Sequence, residues 1–189
     1  MMLDTERLRL RTFAMDDWRD LREYVTLPEV TKYDYEYPSS DEGLQGVVDY
    51  FVETPGYWAV CLKTAGKLIG HVTCTRKQPE ALRTWELGYI FNPLFYRHGY
   101  ATEACRRVLQ HAFSELGAHR VEAACDPRNA PSWRLLERLG MRREAHRLKA
   151  GFLRTTPEGE PIWVDSYEYA MLEEEWERAS RRAVGDARS

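Results

Sequence analysis

Phe95-Tyr96-Arg97-His98-Gly99-Tyr100-Ala101-Thr102-Glu103-Ala104 is the stretch on which the reading turns. Just upstream, Trp85-Glu86-Leu87-Gly88-Tyr89-Ile90-Phe91 is rich in aromatic and branched residues and reads as a strand. Downstream, Ala101, Ala104, Val108, Leu109, Ala112, Phe113 and Leu116 recur at offsets of three and four, which predicts a helix from Tyr100 to Leu116. The chain therefore runs strand, short loop, helix. A helix N-terminus leaves backbone N–H groups unpaired and carries positive potential, so it suits an anion such as a phosphate. Gly99 lets a ligand approach the backbone, and Arg97 and His98 add donors beside it. On physics alone, the same stretch is also read as a plain strand-to-helix connection whose glycine only makes the turn.

The surrounding residues favour the first reading. Arg97-His98-Gly99-Tyr100-Ala101-Thr102-Glu103-Ala104 resembles the pyrophosphate loop of the GNAT acetyltransferases, (Q/R)xxGx(G/A), with Gly99 and Ala101 at its two small positions. Tyr96 departs from the usual Gln or Arg, at little cost to a loop that works mostly through backbone N–H groups. Gly-Tyr-Ala-Thr-Glu-Ala is most similar to the Rim-type ribosomal-protein N-acetyltransferases. A second matching block follows some thirty residues on, Asn129-Ala130-Pro131-Ser132 and then Leu135-Leu136-Glu137-Arg138-Leu139-Gly140-Met141. The resemblance spans nearly the whole chain, from Thr5-Glu6-Arg7-Leu8-Arg9-Leu10-Arg11 to Glu175-Trp176.

The remaining segments read consistently with one α/β domain. Arg7-Leu8-Arg9-Leu10-Arg11 alternates as a half-buried strand with its arginines toward solvent. Asp16-Asp17 caps a first helix that Pro28 ends, and Ser39 or Ser40 caps a second bearing Leu44, Val47, Val48 and Phe51. Residues 57–62 and 67–74 form a hairpin, residues 120–125 a strand, and Pro131 opens a short helix ending near Gly140. Two long strands joined near Pro157-Glu158-Gly159 precede a last helix from Glu173. No repeat or linker interrupts the chain, so the domain is placed at 1–180, with 181–189 as a frayed tail. The resemblance implies the GNAT fold: a mixed, strongly twisted sheet whose central parallel strands, 84–91 and 120–125, splay apart between flanking helices. The splay frees backbone groups for the pantetheine amides of acetyl-CoA.

Composition excludes several other classes. A net charge of −3, from 27 basic and 30 acidic residues, gives no support to general nucleic-acid binding, and leaves only a local basic patch to consider around Arg142, Arg143, Arg147 and Lys149. No apolar run reaches the ~18 residues of a membrane span, and the N-terminus carries no signal-peptide core. Cys61, Cys74, Cys105 and Cys125 lack CxxC spacing and the five histidines are scattered, so free thiols in a reducing cytoplasm and no metal site are expected.

The function implied is acetyl transfer from acetyl-CoA directly to a primary amine, on a protein N-terminus or a small molecule. A homodimer is compatible with the resemblance. The alternative is a non-catalytic acyl-CoA sensor or interaction module on the same fold. Acetyl-CoA is assigned to Ile90, Phe91, Arg97, His98, Gly99, Tyr100, Ala101, Thr102, Asn129 and Ser132. For the general base the choice is Glu86, a carboxylate on a mostly apolar strand, whose desolvation raises its pKa. Ser132 is assigned as acid or thiol-positioning donor, with a helix cap as its other reading. Some Rim-type members carry a glutamate where Gly151 stands here, a departure that adds weight to Glu86 or to Asp165. Tyr33 and Tyr35, with Asp34 and Glu36 beside them, form an aromatic-acidic rim suited to a cationic amine, and Glu86 is counted with them on the acceptor side.

Overall fold

A computed structural model describes residues 2–186, with side chains described as far as 181. The strands are β1 (Met2–Asp4), β2 (Leu8–Arg11), β3 (Tyr57–Leu62), β4 (Leu68–Arg76), β5 (Thr84–Phe91), β6 (Arg120–Cys125), β7 (Arg142–Thr155) and β8 (Pro161–Leu172). The helices are α1 (Trp18–Val25), α2 (Pro28–Thr31), α3 (Asp41–Glu53), α4 (Tyr100–Ser114), α5 (Ala130–Arg138) and α6 (Glu173–Asp186). The strands make one sheet in the order β1-β2-β3-β4-β5-β6-β8-β7. Every neighbouring pair is antiparallel except β5 and β6.

That single parallel pair is short. Thr84, Trp85 and Glu86 face Arg120, Val121 and Glu122, and there the pairing stops, although β5 continues to Phe91 and β6 to Cys125. β6 stays paired along its length with β8, and β5 with β4, so the sheet opens between two intact halves. Alternation along β5 sends Trp85, Leu87 and Phe91 into one core, with Ala104, Cys105, Val108 and Leu109 of α4. The other face carries a second core, in which Leu21, Tyr24 and Val25 of α1 meet Leu44, Val48 and Phe51 of α3.

Several local expectations change. β1 is too short to show a period, yet it pairs with β2 from Met2↔Arg11 to Asp4↔Arg9. Pro28 opens the short α2 instead of closing α1, because the first helical position needs no N–H. Asp17 is not a simple cap: its carboxylate accepts from the Ala14 N–H at 2.7 Å and pairs with Arg11 at 2.6 Å. Ser40 caps α3 as expected, accepting from the Gly43 N–H at 3.1 Å. The final helix runs on past Arg181 to Asp186, and the rest of the expected tail lies outside the described residues. Among the described residues, no helix is long and apolar enough to cross a membrane.

His71, on β4, sits in the second core against Phe13 and Phe51 at 3% exposure, with Nδ1 2.8 Å from the Tyr24 hydroxyl. Burial pulls its pKa down to about 3. In the unfolded chain an ordinary imidazole titrates near ~6.5. The folded state therefore refuses a proton that the unfolded state accepts, so this contribution is intact above that pH and is lost as pH falls toward the folded value. Urea unfolding at pH 7.5 and pH 5.0 should show a loss of ~2 kcal/mol from this group. His71→Gln should be less stable at pH 7.5 but lose correspondingly less on acidification; equal losses in both proteins would remove His71 from the pH response.

Candidate active site

The loop before α4 is held in an uncommon shape. Arg97 has φ 64° and Gly99 has φ 80°, both left-handed. The first bond of α4 runs from the Glu103 N–H to the Gly99 carbonyl at 3.0 Å, so the N–H groups of Tyr100, Ala101 and Thr102 have no intrahelical partner. A side chain more than ninety residues away fixes this loop. Arg7 donates through Nη1 to the His98 carbonyl at 3.0 Å and through Nε to Glu103 at 2.7 Å, and its guanidinium lies 4.6 Å from the Tyr100 ring centre. Glu103 also accepts from the Arg7 N–H at 3.0 Å and from the Thr5 hydroxyl at 2.5 Å. Partial burial raises the Glu103 carboxyl, but these hydrogen bonds outweigh that and hold it below the usual range. Arg7 is exposed, as the alternation of residues 7–11 predicts, and from just before β2 its side chain also reaches α4. A Cβ on Gly99 would stand 3.5 Å from Arg7 Nη2.

From this loop a cleft of about 660 Å³ runs along the open edge of β5. It gathers Ile90, Phe91, Arg97, Gly99, Tyr100, Ala101 and Thr102 on one side, and Asn129, Pro131 and Ser132 of the α5 start on the other. Among the expected cofactor residues, His98 is not in its lining; its ring stacks on Tyr100 at 5.6 Å and its Nδ1 lies 2.8 Å from the Tyr96 carbonyl. The cap of α5 is Asn129, whose side chain accepts from the Ser132 N–H at 3.3 Å. That leaves the Ser132 hydroxyl free of capping, 2.9 Å from the hydroxyl of Tyr89. Tyr89 also donates to the Ser132 carbonyl at 3.1 Å. Burial pushes the Tyr89 phenol well up, so it stays protonated at neutral pH. Sequence reading passed over Tyr89; its place three residues beyond Glu86, on the opposite face of β5, is the signal that marks it.

The carboxylates fall differently from expectation. Glu86 is exposed, sits at the last paired register before the sheet opens, and is absent from the cleft lining. Its desolvation, the premise for a general base, is not met, because it shares the sheet face of Gly88 and not that of Tyr89. Asp165 is occupied elsewhere: it accepts from the Lys149 N–H at 2.9 Å and lies 2.9 Å from His146 Nε2, and these bonds hold its pKa down. Gly151 pairs with Val164 in the irregular outer hairpin. On the proposed acceptor side, Tyr33 and Asp34 line the cleft, whereas Tyr35 is 68% exposed and outside the lining.

No cysteine is poised as a nucleophile. Burial raises all four thiols, Cys74 to about 12 and Cys125, beside Ser132, to about 11, so little thiolate exists near neutral pH. Among the described residues no group of three or more His, Cys, Asp or Glu side chains is placed to hold a metal ion.

Strand, left-handed loop, capless helix N-terminus and a sheet that parts beside it are arranged as in one enzyme family. The family model for the acetyltransferase (GNAT) domain matches residues 7–142, more than half of the chain. The chain belongs to the GNAT acetyltransferases. It is 36% identical over 177 residues to the uncharacterized N-acetyltransferase YnaD of Bacillus subtilis, covering 93% of this chain and 99% of that one. A GNAT-family acetyltransferase from Bacillus anthracis shares the fold at TM-score 0.80 and 36% identity, over 92% of this chain and 99% of the other. Spermidine N-acetyltransferase from Vibrio cholerae, solved with CoA and spermine, superposes at TM-score 0.76 with 19% identity, over 91% and 99% of the two chains; at that identity the likeness is one of fold.

The Gly99 loop and its Arg7 brace suit a diphosphate, and calorimetric titration tests this. Gly99→Val forces a branched residue into φ 80° and should weaken acetyl-CoA at least tenfold, ~1.4 kcal/mol. Arg7→Gln should weaken it by about threefold to tenfold through loss of loop support and positive charge. Neither change should alter the affinity for S-acetylpantetheine, which has no diphosphate. Equal weakening for both ligands would show a general disturbance of the cleft instead.

Proposed function

We propose that this GNAT acetyltransferase moves an acetyl group from acetyl-CoA straight to a primary amine, with Ser132 and Tyr89 serving the departing sulfur. The observation that carries this reading is the 2.9 Å contact between the two hydroxyls, at the place where β5 and β6 have parted. Acetyl-CoA, when bound, supplies the thioester. The residues that would hold it are the loop and helix start at 97–102, the unpaired edge of β5 at Tyr89, Ile90 and Phe91, and Asn129 on the facing α5. They fit the group in two ways. The N-terminus of α4 offers N–H groups to a diphosphate. The open strand edge offers backbone groups to amides that would otherwise find no partner.

Tyr89, kept protonated by burial, is the proton source, and Ser132 orients and relays that proton. The amine nitrogen bonds to the acetyl carbon, the carbon–sulfur bond breaks, the Tyr89 proton passes through Ser132 to the departing sulfur, and the amine's surplus proton leaves toward solvent, from which Tyr89 is reprotonated. The raised thiols give no support to a covalent acyl-cysteine step. Holding amine and thioester together in one cleft supplies much of the rate, in favourable cases ~7–11 kcal/mol. The acceptor is an amine on a small molecule or a protein N-terminus. The Rim-like Gly99–Ala104 stretch speaks for the latter and the acidic, aromatic acceptor rim for the former.

Steady-state kinetics with an amine panel provide the test. Tyr89→Phe should lower kcat ~10²-fold or more, while leaving the KM for acetyl-CoA nearly unchanged. Ser132→Ala should lower kcat less, since the Tyr89 hydroxyl remains. Binding of acetyl-CoA with no amine-dependent release of CoA, for every amine tried, would sink the transferase reading and favour an acyl-CoA sensor.

A further inference from the structure

The cleft is electrically lopsided. Arg97, Arg134 and Arg138 line it toward α4 and α5, and Asp34 is the one carboxylate in its lining among the described residues. Carboxylates taken out of water ordinarily have a cation beside them, because an unpaired buried charge is expensive. This chain follows that rule elsewhere: Asp17 meets Arg11 at 2.6 Å, Asp20 meets Lys67 at 2.7 Å and Glu122 meets Lys77 at 2.7 Å. Asp34 is half-buried and receives one hydrogen bond, from the Tyr35 N–H at 2.7 Å. No lysine, arginine or histidine lies within ion-pair distance of it among the described residues. Burial pushes its carboxyl above the ordinary range, the Tyr35 N–H opposes this, and no cation contributes.

The segment carrying Asp34 is nonetheless fixed. Arg154, reaching over from β7, donates to the Thr31 carbonyl at 2.8 Å, to the Lys32 carbonyl at 3.0 Å and to Glu36 at 3.1 Å. One guanidinium thus closes the end of α2 and occupies the acid that sequence places beside Asp34. Asp34 is left as an oriented, uncompensated anion in the cleft.

We propose that Asp34 binds a second, non-reacting ammonium of the acceptor, so that the substrate class is a diamine or a similar molecule with two cationic groups. A cation held at Asp34 keeps its proton and cannot attack, so the group it anchors is distinct from the amine that becomes acetylated. The reacting amine then lies deeper, toward Tyr89 and Ser132, and the Tyr33 ring lines the cleft at the anchor's end. An alkyl ammonium, ordinarily titrating near ~10.4, stays charged at neutral pH and suits the anchor, whereas an α-amine near ~7.7–8.0 does so less completely.

This inference rests on the transferase reading, and matched acceptors separate the two. 1,5-Diaminopentane and pentylamine have the same chain and differ by one ammonium. The wild-type protein should favour the diamine at least tenfold in kcat/KM. Asp34→Asn should bring that ratio to within about twofold by lowering the diamine value, with pentylamine turnover kept. A wild-type ratio near one, or a preference that survives in Asp34→Asn, overturns the proposal. Turnover of an N-terminal peptide amine with neither alkyl amine accepted also overturns it and leaves the transferase reading standing. Absence of turnover with any amine overturns both. Binding of 1,5-diaminopentane to the CoA-loaded protein, read by calorimetry and lost in Asp34→Asn, checks the anchor without activity.

Discussion

Backbone N–H and C=O groups away from water need partners, and between β5 and β6 this sheet stops providing them. The two strands pair over three residues and then part while each remains paired on its other side. The opening is therefore held by two intact half-sheets and does not close on itself. The cleft is laid along it, lined by the free edge of β5, the loop and helix that leave its end, and α5 arriving from β6. A ligand with amide groups of its own could complete the interrupted ladder, and in the proposed reading acetyl-CoA would do so.

The loop at the end of β5 carries strain that the rest of the chain supports. Arg97, a non-glycine residue at φ 64° two positions before Gly99, holds a conformation that persists only where its surroundings impose it. Arg7 and Glu103 impose it, and Thr5 completes the contact. The extreme N-terminal strands thus serve more than the sheet edge. They bring a guanidinium to the positive end of α4, where it reinforces the attraction for an anion.

The fold was largely legible because it is written in local periods. The strand at 85–91, the helical repeat after Gly99 and the proline in the first turn of α5 each specify an element and a direction. That the residues proposed for the cofactor line one cleft was legible for the same reason: the placement of their backbone follows from the element boundaries. The chemistry between side chains was less so. Glu86 was expected to be desolvated because its strand is apolar, yet alternation puts it on the solvent side of a register that sequence does not specify. The contact that motivates the role proposed for Tyr89 forms only when Ser132, more than forty residues on, comes to 2.9 Å. Arg7 looked like a solvent-facing arginine because nothing local announces a partner in α4. Asp34 was visible as an acid beside tyrosines, but that it lines the cleft half-buried with no cation beside it is a property of the packed chain.

Arg154 joins two parts of the molecule that are far apart in sequence. It stands on β7, beyond residue 142 where the family model ends, and it grips the backbone of α2 and its following residue, not their side chains. A grip on carbonyls is indifferent to the side chains at Tyr33, Asp34 and Tyr35. These can be exchanged while the segment keeps its path, and the Gly99 loop and the Tyr89–Ser132 pair lie on other elements. If residues 33–35 recognise the acceptor as proposed, the Arg154 grip would let their side chains be exchanged without moving the backbone that carries them, which makes that loop the natural place to graft a new acceptor preference.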